Sequence, residues 1–121
     1  MRLATILLGF AACSASSAQA SDGFALVCTF SSKNQCGPNG CASVRPTITV
    51  SIDFQGRRYR RCDARGCDVW DGYVSASGIW RTIEAPGRAM FARVNSDNEI
   101  VEVATLNDMV LISHGRCTAN R

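Results

Sequence analysis

The sequence predicts an all-β domain: a small antiparallel up-and-down barrel or flattened sandwich of about eight strands, stapled by disulfides. Three observations carry that prediction. Residues 47–54 alternate strictly, with Ile48, Val50, Ile52 and Phe54 on one side and Thr47, Thr49, Ser51 and Asp53 on the other. A period of two marks a strand with one buried face. Turn-forming residues recur at short intervals, at Gln55-Gly56, Asp71-Gly72, Ala85-Pro86-Gly87 and residues 95–98. Strands so spaced suit a meander that closes on itself and hides its edges. Finally, the chain has seven cysteines, of which six remain once Cys13 in the leader is set aside. An even count in a short exported chain reads as a disulfide framework.

Export follows from the first residues. Arg2 supplies a positive start, residues 3–12 are almost wholly apolar, and a small-residue stretch ends in Ala18-Gln19-Ala20. This is the pattern of a secretory signal peptide over residues 1–20, leaving one domain over residues 21–121. The apolar run is half the length of about 20 residues that a bilayer span needs. Phe10-Ala11-Ala12-Cys13 also approximates a bacterial lipoprotein box. Lipidation of Cys13 is therefore the alternative, and membrane attachment is expected only in that case. The expected compartment is periplasmic or secreted, and the expected state is a monomer.

The elements then follow in order. Residues 24–30 are apolar on both faces and read as a first, buried strand. Residues 31–46, with Gly37-Pro38-Asn39-Gly40, read as a loop. After the strand at 47–54, Gly56 is expected to take a positive φ in a tight turn that returns residues 57–62 as a strand. Residues 67–75 form another strand, broken near Gly72, and residues 78–84 the next. Residues 88–94 and 99–106 are strands separated by Asn95-Ser96-Asp97-Asn98, with Val101, Val103 and Thr105 on one face. Residues 109–117 close the chain. If the barrel closes, the first and last strands are neighbours, which predicts a Cys28–Cys117 disulfide. Cys36–Cys41 and Cys62–Cys67 are then local staples, with cross-pairs such as Cys41–Cys62 left open.

The chemistry-bearing residues argue against an enzyme. Two C-x4-C pairs could bind zinc, but zinc ligands are usually closer in sequence and an oxidising compartment removes free thiolates. The C-x-x-C redox signature is absent. His114 is the one histidine, with nothing to place a nucleophile or orienting carboxylate beside it. Ser75 and Ser77 lack a nucleophile elbow, and Asp63, Asp68 and Asp71 lack the spacing of a calcium loop. No catalytic residue, metal or cofactor is expected. A formal charge of +3 is no nucleic-acid signature. The arginines are nonetheless clustered. Arg58 and Arg60 share one strand face, and Arg57, Tyr59 and Arg61 the other. Such a run can hold phosphates, anionic lipid or an acidic partner, or simply guard a strand edge with charge. Trp70, Tyr73 and Trp80 are either a binding surface or core.

The stretch Val74-Ser75-Ala76-Ser77-Gly78-Ile79-Trp80, followed by Ala85-Pro86-Gly87 and Arg88-Ala89-Met90-Phe91, resembles the centre of the membrane-bound c-type lysozyme inhibitors. These are small periplasmic or lipid-anchored bacterial β barrels. The resemblance implies that Ser75, Ser77 and Gly78, with a basic residue, enter the lysozyme cleft, whose two carboxylates attract a cation. The family's Lys-Gly stands here as Pro86-Gly87, which leaves Arg88 as the cation in that region. The C-x4-C loops lie outside the family's pattern. Over its whole length the chain is more similar to small, uncharacterised secreted proteins of alphaproteobacteria. The shared features are an Arg61-Cys62-Asp63 and Cys67-Asp68 centre and a Gly115-Arg116-Cys117 ending, and that likeness brings no activity. The expectation is a non-enzymatic binding module for a protein or envelope component, lysozyme among them. Its contact residues would be Ser75, Ser77, Gly78, Trp80, Arg88, Arg58 and Arg60. The alternatives are a structural envelope protein and a barrel holding a small apolar ligand.

Overall fold

The computed structural model describes residues 22–120; the leader and Cys13 lie outside them. Ten strands form one antiparallel sheet, curled into a nearly closed barrel. They are β1 (Leu26–Gly37), β2 (Gly40–Val44), β3 (Thr49–Asp53), β4 (Arg58–Asp63), β5 (Gly66–Asp71), β6 (Tyr73–Ser77), β7 (Trp80–Ala85), β8 (Met90–Val94), β9 (Glu99–Leu106) and β10 (Met109–Ala119). The order across the sheet is β5-β4-β3-β1-β10-β9-β8-β7-β6, with β2 attached to β1. A single 3-10 turn, Pro86–Arg88, stands between β7 and β8.

The interior is packed with side chains. Tyr59, Ile52, Ile83, Ile100, Val50 and Val94 are fully buried. The predicted inward set of the third strand holds, with Val50 and Ile52 in the core and Ile48 and Phe54 packed against it. At one end of the barrel a recess of ≈ 280 Å³ remains, lined by residues that include Ile48, Arg61, Trp70, Met90 and Leu111. At the other end the Arg81 guanidinium lies 4.4 Å from the centroid of Phe54.

All three predicted disulfides are present: Cys28–Cys117, Cys36–Cys41 and Cys62–Cys67. Each joins residues directly opposite one another in a ladder. The first staples the first strand to the last, which are neighbours as closure requires.

Two local expectations are corrected. Residues 31–46 are not a loop: β1 continues to Gly37 and returns as β2, and the strand expected at 67–75 divides at Gly72 into β5 and β6, so ten strands replace the eight expected. The ribbon is polar and half-exposed, so it lacks the alternation that betrays a half-buried strand. Ladder hydrogen bonds to β10 and β2, together with Cys36–Cys41, hold it. Secondly, the positive φ of the β3–β4 turn falls on Arg57 (φ 57), not on Gly56. Gly56 serves by its missing side chain, which leaves room for the Asp53 carboxylate that accepts the Gly56 amide at 2.8 Å. On β9, Val101, Val103 and Thr105 share a face as expected; that face is the outer one, and the inward residues are Ile100, Glu102 and Ala104.

The remaining seam of the barrel lies at Gly72. β5 pairs only with β4, and β6 only with β7. The chain therefore changes partner at the break between them and links the two ends of the sheet covalently. Gly72 N donates to Arg57 O at 2.8 Å. A Cβ here would sit 2.8 Å from both the Glu84 carbonyl oxygen and Ile83 Cγ1, so only glycine allows so close a crossing.

Candidate functional site

The residues that carry the lysozyme-inhibitor resemblance divide between two ends of one strand. Ser75 and Ser77 lie on β6, Gly78 in the hairpin loop, and Trp80 at the start of β7. Ser77 pairs with Trp80, so Gly78 and Ile79 form a two-residue loop. Gly78 takes φ 59 and Ile79 a negative φ, the pattern of a type II′ hairpin with glycine first. Both faces of β6 are exposed over its whole length. Tyr73 is 71% and Ile79 60% accessible. Trp80 is half-buried, with the Arg93 guanidinium 5.0 Å from its ring centroid. Arg88 stands beyond the other end of β7, stacked on Trp70 at 5.2 Å. With about 3.4 Å per residue, β7 puts roughly 17 Å between those ends.

Arg58 and Arg60 share the outer face of β4, as the alternation implies, and both are engaged. Their guanidinium carbons lie 4.6 and 4.4 Å from the centroid of Phe24. Arg60 also reaches Asp22 at 2.6 Å and donates to Ser51 Oγ at 3.0 Å, while Arg58 pairs with Asp53 at 3.5 Å. The segment before β1 is thus strapped over the sheet, and Phe24 is buried. Asp22 further accepts from the Phe24 amide and from Asn120 Nδ2. The hydrogen bond from Arg60 holds the Asp22 carboxyl below its ordinary value, and the Phe24 amide lowers it further.

Sequence reasoning missed the polar centre of the barrel. Glu102 is 2% exposed on the inner face of β9. Tyr59 Oη, reaching across from β4, donates to Glu102 Oε2, and Arg61 Nη2 donates to Oε1 at 3.4 Å. Burial pushes the Tyr59 phenol well above its ordinary value, and the Glu102 charge pushes it the same way. A buried carboxylate costs several kcal/mol unless paired and hydrogen-bonded, and Tyr59 and Arg61 supply both. The network cross-links β4 to β9 through the interior. Tyr59 also stacks on Trp70 at 5.9 Å, which continues it towards the recess. The Nε atoms of Arg60 and Arg61 are buried without a partner.

The recess brings opposite charges together. Arg61 and Arg88 line it with Asp63 and Asp68, over a floor that includes Ile48, Met90 and Leu111. Among the described residues no group of three or more metal-ligating side chains converges. Searches of protein-family models, curated proteins and solved structures return no match to this chain.

Proposed function

We propose that this domain is an exported, non-enzymatic binding module of the periplasm or cell exterior, and that it engages a protein partner through the β6–β7 hairpin. The observation that carries this reading is that β6 is exposed on both faces. A strand that buries neither face adds ordering cost without core stabilisation. It also leaves Tyr73, Val74 and Ile79 in water, beside Trp80 under Arg93. Exposed apolar groups gathered with aromatic and arginine side chains are the usual makings of an interface core. Three disulfides fit an oxidising compartment.

A c-type lysozyme is the partner that the resemblance points to. Ser77 and Gly78 sit at the hairpin tip, and Arg93 stacks on Trp80, the cross-strand partner of Ser77, where the resemblance alone nominated Arg88. Purified protein is expected to inhibit a c-type lysozyme. Ser77→Trp and Arg93→Ala should each raise the inhibition constant at least about tenfold, some 1.4 kcal/mol, while Arg88→Ala leaves it unchanged. No inhibition at micromolar protein would remove lysozyme as the partner.

The recess supports a second reading. Its ≈ 280 Å³ is close to the lower bound of about 300 Å³ for small-molecule pockets, and its floor is apolar. A small amphiphile recovered in an organic extract of the native protein would favour it.

A further inference from the structure

The two end strands of the sheet differ in how they are guarded. β5 carries Asp68 and Asp71, and Cys67 ties its start to β4. Charge on an edge strand discourages a second sheet from pairing with it. β6 has no such guard. Tyr73-Val74-Ser75-Ala76-Ser77 contains no charge, proline or glycine. It pairs with β7 along one side and, among the described residues, with no strand along the other. Because the chain changes partner at Gly72, β4 does not run alongside β6 to cover it. The N–H and C=O groups of that open side are a template for a further strand.

We propose that the added strand is β6 of a second copy, running antiparallel about a two-fold axis at Ser75, in place of the monomer expected from sequence. Charge and size both favour this occupant. The chain has a formal charge of +3, yet this pairing sets no charged side chain of β6 against another. In the same register Tyr73 lies opposite Ser77, Val74 opposite Ala76, and Ser75 opposite its own copy. Each large side chain thus meets a small one on the same face, which is how cross-strand neighbours pack. The two-fold makes each contact twice. Tyr73 and Val74 point to opposite faces, so both exposed faces of β6 gain cover. The product is a ribbon in the order β7-β6-β6-β7. Its two Gly78-Ile79 tips point in opposite directions and stay free, whereas Tyr73, Val74 and Ser77, on which the proposed partner contact also draws, are covered by the pairing.

Sedimentation of the purified protein over a concentration series tests this. The expected result is a reversible dimer. Ser75→Lys and Ser75→Glu each place like charges together at the two-fold and should weaken dimerisation at least about tenfold. An equimolar mixture of the two variants should form a heterodimer, which also shows that both are folded. Hydrogen exchange on the unmodified protein supplies an independent reading. The amides of residues 73–77 that do not pair with β7 should exchange more slowly as concentration rises. The proposal is overturned by a monomer at every concentration, by variants that dimerise as tightly as the parent, by charged variants that fail to associate on mixing, or by exchange at 73–77 that ignores concentration. Lysozyme inhibition enters none of these outcomes.

Discussion

Glu102 shows how a single side chain is decided by what surrounds it. In the sequence Glu102 sits between Val101 and Val103, and the apolar pair looks like the better candidate for the core. The barrel buries Glu102 instead, because Tyr59 and Arg61 arrive from β4 to pair with it. Removing one partner should therefore hurt more than losing an exposed hydrogen bond. Tyr59→Phe is expected to lower unfolding stability by about 1–3 kcal/mol, the cost of leaving a buried acceptor short of a donor. Denaturant titration with the disulfides intact measures it. The same phenol sets a pH dependence. Its native pKa lies well above the ordinary value near 10. Above that pH the unfolded chain has released the proton while the native state keeps it, so stability falls as pH rises. Below it the contribution is fully present. Tyr59→Phe should flatten the alkaline limb of a stability–pH curve.

At the scale of elements, legibility followed exposure. β3 and β9 were bounded to within two residues because apolar and polar positions alternate or because strong turn residues flank them. The second half of β1 and all of β2 carry no strand signal in the sequence. Their side chains are polar and their order comes from ladders to residues far away in sequence. The bulge between Phe30 and Ser32 belongs to the same blind spot. It sits opposite Gly115, where a Cβ would overlap the Thr29 carbonyl and Phe30 Cα. That crowding is between two backbones, which a side chain cannot relieve by rotating. Gly115→Ala is thus expected to destabilise by at least about 1–3 kcal/mol, seen as a lower thermal midpoint. The equivalent change at Gly78 should cost less in packing, because no atom lies within 4 Å of a Cβ there. In the candidate site, the hairpin around Ser77 and Gly78 was legible from its residues. The distance between it and Arg88 was not, because a contiguous stretch of sequence becomes two ends of an extended strand.

The whole molecule is held by one long-range covalent closure and two local ones. Cys28–Cys117 spans a sequence separation of 89, against 5 for each of the other two. In the chain-entropy account, removing the long link frees far more of the unfolded ensemble. Replacing Cys28 and Cys117 by alanine should cost about 4–5 kcal/mol, against about 2 kcal/mol for the Cys36 and Cys41 pair. Comparing denaturation midpoints of the two double variants tests the ordering; equal losses would overturn the loop-length account. The arginines show a similar division of labour. Arg58 and Arg60 clasp Phe24 and Asp22, and so fasten the segment before β1 to the barrel.

The all-β class and most turns were legible in the sequence, which also pointed to the three disulfides while leaving cross-pairs such as Cys41–Cys62 open. These rest on local signals: alternation with period two, glycine and asparagine between strands, and cysteines whose pairing follows once the first and last strands are neighbours. Tertiary structure alone decided which face of β9 turns inward, because both faces carry apolar residues and only the partners across the barrel distinguish them. It likewise decided that Arg58 and Arg60 are occupied, that Arg93 stacks on Trp80 and that Arg88 stacks on Trp70 beyond the other end of β7. It also left β6 open along one side, since a strand's neighbours are set by how the sheet curls and not by its own five residues.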